Sequence, residues 1–284
     1  MDATLKEILF DFFKLKQSLL LVWTGFFSYL AATHLNPNLY YFALTLLAMF
    51  LTIAGTTGFN MVLDADLDYL MFRTHKRPIP SGKLSKLEGT ILSLGVVAIG
   101  LTVSLLVNFW VFLAGLLGFI TDIMLYTYLL KRKSPWSTIV GGFAGGMPAL
   151  GGWAGAMGNI DLPGVLLLLL VAIWSNVHIW TLATFYVEDY RRANVPMLPV
   201  ARGERAGVIG SLVASLIIVF IVMGLFVIGL LGTIGLLISL TPLLIAVLYL
   251  LKGLQTKDYK DWSYKAFKMV NMFMAIVFLS LILK

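Results

Sequence analysis

Cysteine is absent from the 284 residues, which removes disulfides, thiolate metal sites and cysteine nucleophiles from consideration and says little about compartment. Charge is scarce, at 12% of residues against 60% hydrophobic, and a mean hydropathy of +0.92 excludes an ordinary soluble domain. Apolar runs recur along the whole length, so no stretch remains for a separate soluble domain and one integral-membrane domain over residues 1–284 is expected. The first run is too long for a signal peptide and lacks a small-residue cleavage site, so it reads as a retained span. A net charge of +7 raises nucleic acid as a partner. The placement of the bases argues against it.

About twenty apolar residues make one membrane crossing, and nine such windows are present, at approximately 17–33, 40–63, 89–107, 111–130, 139–157, 165–187, 208–228, 233–251 and 267–283. Lys6, Lys14 and Lys16 precede the first, and further clusters of bases follow the second, fourth, sixth and eighth. Every Lys and Arg except Lys284 thus falls on one side, which the positive-inside rule makes the cytoplasm. Bases placed by topology, and able to hold anionic headgroups, leave nothing for nucleic acid to explain. The expected fold is all-α: a multi-pass protein of the plasma membrane with nine transmembrane helices around a central cavity, N-terminus cytoplasmic and C-terminus outside. Connections on the outer side are short and nearly uncharged, so the active site is expected to open to the cytoplasm.

Two cytoplasmic loops stand apart, residues 64–88 after the second window and 188–205 after the sixth. Each places acids at a helix end, followed by arginines and prolines. Their offset of four helices points to two similar four-helix units, about 17–130 and 138–251, plus a ninth helix. The first loop begins within NMVLDADLDYLMFRTHKRPIPSG, residues 60–82. If the helix continues, Asp64 and Asp68 are four apart and share a face. Bare carboxylates so placed repel, and they suit a hard divalent cation between them, Mg²⁺ above all. Arg73, Lys76 and Arg77 are natural partners of phosphate oxygens. On spacing alone the segment is either a diphosphate site or a charged loop that keeps topology in order.

At Asn60, Asp64 and Asp68 the chain resembles the N-x-x-x-D-x-x-x-D core of the UbiA superfamily of intramembrane prenyltransferases, with Met61 where the wider pattern has an acid. The whole string 60–82 is similar to that of one branch, the protohaem IX farnesyltransferases or haem O synthases. So are YTYLLKRKSPWSTIVGGFAGGMPALGGW (126–153) and HIWTLATFYVEDYRRANVPMLPV (178–200). In the second loop, the acids of quinone and lipid prenyltransferases fall on Tyr186 and Tyr190, with Glu188 and Asp189 beside them, and this favours the haem branch. Val177 stands where that branch commonly has proline. The resemblance implies transfer of the farnesyl group of farnesyl diphosphate to a vinyl group of haem B, with water addition and release of diphosphate. It implies Mg²⁺ held by Asp64, Asp68 and Asp189, catalytic roles for Asn60 and Tyr126, and diphosphate on Arg73, Lys76, Arg77, Lys131 and Arg132. Tyr126, Tyr128 and Tyr186 offer aromatic faces to an allylic cation. Membrane lipids and a haem A synthase or terminal-oxidase assembly factor are the implied partners.

Other residues keep two readings. His178 either contacts haem or is a hydrogen-bonded structural histidine, and Asp122, costly inside a span, either lines a cavity or pairs with a base. Glycines from Gly141 to Gly155 mean close helix packing first and room for a flat macrocycle second. Asp66 points away from Asp64 and Asp68 and reads as solvated surface; His34 reads as interfacial and His75 as loop. The competing functions are another UbiA-type prenyltransferase, with a prenyl-glycerol-phosphate or quinone-precursor acceptor, and a transporter whose path would pass Asp122 and the glycine helix.

Overall fold

A backbone in hydrocarbon must satisfy its own polar groups, and the apolar windows accordingly form helices. The computed structural model describes residues 4–283; Lys284, the base assigned to the outer side, lies outside them. In order these are α1 (Leu5–Glu7), a π-helical turn (Ile8–Phe12), α2 (Leu15–Ala32), α3 (Leu39–Leu63), α4 (Ala65–Leu70), α5 (Lys86–Val107) and α6 (Phe109–Ile120), which continues as π-helix over Thr121–Leu130. Then come α7 (Ser137–Met157), α8 (Leu162–Phe185), α9 (Val187–Arg192), α10 (Leu198–Ala201), α11 (Glu204–Val227), α12 (Thr233–Thr256) and α13 (Tyr259–Ser280). No strand occurs among the described residues. Six helices are long and apolar enough to cross a membrane: α3, α5, α6 with its π-helical extension, α8, α11 and α12. The other three windows lie on α2, α7 and α13, which polar residues or glycines dilute.

Side chains set where these helices begin. Asn38 Oδ1 accepts the N–H groups of Tyr40 and Tyr41 ahead of α3, Ser85 and Glu88 form a capping box on α5, and Asp161 caps α8. Buried hydroxyls that would be costly in hydrocarbon donate one turn back along their own helices, as Thr52 does to Ala48 and Thr184 to Trp180.

The chain divides into two compact units, residues 1–129 with 147–160, and residues 130–146 with 161–284. In the first, α3 lies along α5, and the C-terminal half of α7 approaches α2 so closely that a Cβ on Gly152 would stand 2.1 Å from the carbonyl oxygen of Gly25. Only glycine admits that approach. The segment before α2 is packed inward, with Ile8 and Phe12 buried against Met61, Val62, Ala65, Ile79 and Leu84. It therefore lies against the residues that frame the first loop. Lys83 of that loop pairs with Glu7, and this contact, followed by the Thr4 backbone, holds the Glu7 carboxyl down at about 2.

In the second unit α8 packs against α11 and α13, and α12 against α13. The N-terminal half of α7 meets α8 at Gly146, where a Cβ would stand 2.4 Å from the carbonyl oxygen of Leu168. These contacts are the close packing that small residues allow between membrane helices.

Candidate functional site

The first loop begins at a break in the helix. Asp64 takes φ −91° and ψ 5° while its N–H still donates to the Asn60 carbonyl, and α4 starts at the next residue. The second apolar window ends at Leu63, as α3 does, and the helix that would continue through both acids is interrupted at Asp64. The stagger survives, because the Asp68 N–H donates to the Asp64 carbonyl at 2.8 Å. Both acids are buried, Asp64 at 4% exposure and Asp68 at 5%, whereas Asp66 is exposed.

The loop then turns back on α4. Arg77 Nη1 donates to Asp68 Oδ2 at 2.7 Å, and the Thr74 hydroxyl donates to the Asp68 carbonyl at 3.0 Å. A carboxylate this buried needs such a partner. Arg73 and Lys76 are exposed. His75 makes its ring contacts within the loop, through Nδ1 to the Phe72 carbonyl at 2.7 Å and against the Phe72 ring.

Asn60, one turn before Asp64, faces the π-helical end of α6. Its Nδ2 donates to Thr127 Oγ1 at 2.7 Å and to Asp122 Oδ2 at 3.4 Å. Both amide hydrogens are thereby directed at α6, and Oδ1 points away from that pair. Asp122, which spacing left with two readings, is the acceptor that helps fix this orientation. The wider π-helical turn, a form common at functional sites, also contains the half-buried Tyr126.

The second unit repeats the backbone pattern. α8 ends at Tyr186, with φ −96° and ψ 32°, and the six-residue α9 follows, as the six-residue α4 follows Asp64. The side chains differ. Glu188 is 59% exposed and bonds Arg191 Nη1 at 2.8 Å, with Lys260 at 3.7 Å. Asp189, at 14% exposure, lies 3.9 Å from Arg192. Lys131 and Arg132 begin this unit immediately after the π-helix, half-buried and exposed respectively.

His178, on α8, bonds through Nδ1 to Asn271 Oδ1 on α13 at 2.8 Å and packs between the rings of Trp174 and Phe267. Asn271 Nδ2 donates to the Phe267 carbonyl at 2.9 Å, so its oxygen faces the imidazole and accepts. A neutral His178 would then carry its proton on Nδ1 and its lone pair on Nε2, the arrangement that an outer-shell acceptor gives a metal-ligating histidine. Asn271 has no sequence signal of its own, since it lies 93 residues away.

Among the described residues no group of three His, Asp or Glu could hold a metal ion. Asp64 and Asp68 supply hard oxygen donors of the kind Mg²⁺ takes, but only two of them. That donor set fits a cation whose remaining ligands are diphosphate oxygens and water.

The model of the UbiA prenyltransferase family matches residues 21–277. A protohaem IX farnesyltransferase of Thermofilum pendens is 53% identical over 283 residues, covering 100% of both chains. One from Hyperthermus butylicus is 39% identical over 99% of this chain and 96% of its own. Among solved structures, a digeranylgeranylglyceryl phosphate synthase superposes with a TM-score of 0.80 at 20% identity, over 98% of this chain and 97% of that one. A UbiA homologue of Archaeoglobus fulgidus bound to GPP and Mg²⁺ gives a TM-score of 0.65 at 17% identity, over 97% and 99%. The helical architecture is therefore shared widely, and the full-length match of the family model and of these relatives establishes that the chain belongs to the UbiA prenyltransferase family.

Proposed function

We infer that this protein is an intramembrane enzyme that moves the farnesyl group of farnesyl diphosphate to a vinyl group of haem B, with addition of water and release of diphosphate. The observation that carries the reading is the pair of buried carboxylates at and just after the α3–α4 break, Asp68 joined to Arg77, in a chain 53% identical over its full length to a protohaem IX farnesyltransferase.

Asp64 and Asp68 are the residues that would hold Mg²⁺, with Asn60 Oδ1 directed by Asp122 and Thr127 as a neutral oxygen beside them. When bound, the cation draws charge from the diphosphate and makes it a better leaving group. Arg77, held by Asp68, and the exposed Arg73 and Lys76 neutralise the phosphate oxygens. Lys131 and Arg132 are assigned to diphosphate, and Asp189 to metal, on the resemblance to the family alone. The allylic C–O bond breaks with its electron pair leaving on diphosphate, and the vinyl π electrons form the new C–C bond. Water then adds to the cation left next to the porphyrin and gives up a proton. Tyr126 is the aromatic face proposed for the allylic cation. His178, with its lone pair on Nε2, is the proposed haem contact.

We further propose nine spans, with α2, α7 and α13 completing the six, a cytoplasmic N-terminus, a C-terminus outside, cytoplasmic loops, and two similar four-helix units followed by a ninth helix. The one-sided bases and the matching breaks after α3 and α8 support this.

Purified protein incubated with haem B, farnesyl diphosphate and Mg²⁺ should yield a haem whose mass has increased by one farnesyl group and one hydroxyl. Product from a prenyl-glycerol-phosphate or quinone-precursor acceptor, with none from haem B, would assign the chain to another branch of the family.

A further inference from the structure

The second unit contains a cavity of about 670 Å³ bounded by the start of α7, the lower half of α8 and the first half of α11. Its floor is opened by Ala206, Gly210 and Ala214 on successive turns of α11. At Gly210 a Cβ would come within 2.8 Å of Leu198 and 3.1 Å of the Trp180 ring. The wall is otherwise apolar, and the amide of Asn176 is already engaged with Thr138 and the Ala172 carbonyl. Nothing in the depth of the groove therefore asks for a polar ligand. From Ala206 to Ile217 the groove follows twelve residues of α11, roughly 17 Å at 1.5 Å per residue, against about 15 Å for the hydrocarbon of one leaflet.

Its end is different in chemistry. Arg202 lies there, exposed and in no ion pair among the described residues. Trp136 stands beside it, edge-on to Trp180 at 6.3 Å. The indole N–H of Trp180 is buried without an acceptor among the described residues. It sits five residues before the end of α8, about 7 Å along the helix axis from that end at 1.5 Å per residue.

We propose that this groove is a binding site for one anionic membrane phospholipid: phosphate on Arg202, an ester oxygen near Trp180, and one acyl chain along α11. A bare hydrocarbon would leave the arginine and the indole N–H unused, and a soluble anion would leave the apolar depth unfilled. The site uses none of the residues assigned to diphosphate or haem, so its fate is independent of the proposed reaction.

The test is native mass spectrometry of the full chain released from nanodiscs of phosphatidylcholine containing phosphatidylglycerol. Wild type should retain one phosphatidylglycerol in preference to phosphatidylcholine. Arg202→Glu should abolish the preference, Trp180→Phe should weaken it while keeping the ring, and Val213→Trp should block the chain. Arg205→Glu, a base outside the groove, should leave it intact, and circular dichroism of each variant checks folding. Equal retention of the two lipids, equal retention by Arg202→Glu, or displacement of the lipid by farnesyl diphosphate would each overturn the assignment.

Discussion

Set the break after α3 beside the break after α8, with Asp64 on Tyr186, and the residues fall into register: Asp66 on Glu188, Leu67 on Asp189, Asp68 on Tyr190. Asp66 and Glu188 are both exposed, and Asp68 and Tyr190 are both buried. The two breaks thus present the same pattern of inward and outward positions, but only the first puts carboxylates on the inward ones. In the second those positions are tyrosines. Its nearer acid, Asp189, is one residue out of register and partly shielded, and Glu188 is spent on a solvated pairing with Arg191. One backbone motif appears twice, and the buried carboxylates are confined to the first copy.

That asymmetry can be broken by experiment. Asp64→Asn should cost the most, exceeding the roughly 10–100-fold loss typical of outer-shell changes at metal sites, with helical content unchanged; near wild-type turnover would remove the metal assignment. Asp189→Asn should cost about tenfold, within that same outer-shell range, and a loss equal to that of Asp64→Asn would show that both breaks hold metal. Asp122→Leu should lower turnover by several-fold, on the order of one lost hydrogen bond to a positioned amide, and raise the Mg²⁺ concentration needed for half-maximal rate. Asp122→Asn, which retains an acceptor oxygen, should recover part of it. Glu188→Gln should change turnover by less than about twofold, since an exposed ion pair contributes little.

The smallest effect concerns the strap that supports the first break. Glu7 is held near 2 in the folded chain against 4.5 for an ordinary glutamate. Its pairing with Lys83 therefore adds stability above pH about 4.5 and loses it as pH falls toward about 2. Thermal unfolding between about pH 6 and pH 3 should show a slightly steeper loss for wild type than for Lys83→Met.

Much of the site was legible because its signals are local. Asp64, Asp68 and Arg77 lie within fourteen residues, and the structure keeps the Asp64–Asp68 stagger and joins Arg77 to Asp68. The reading of Asp66 as surface follows from the same periodicity. What stayed illegible depends on contacts between distant parts of the chain. Asp122 finds Asn60 across 62 residues, His178 finds Asn271 across 93, and the buried Ile8 and Phe12 precede the first span in a stretch noted in the sequence only for its lysines. The second apolar window ends at Leu63, where α3 ends, but with no proline or glycine to mark a break the sequence left open whether the helix runs on through Asp64 and Asp68.

Composition and periodicity were enough to determine an all-helical chain with membrane-length apolar helices and the stretch where acids and bases meet, since both depend on the residues within one helix or loop. Which acids are buried, which way the Asn60 amide and the His178 proton point, and where a lipid-sized groove opens were decided only by tertiary structure. Desolvation and hydrogen-bond direction are properties of neighbours, and these neighbours come from other helices.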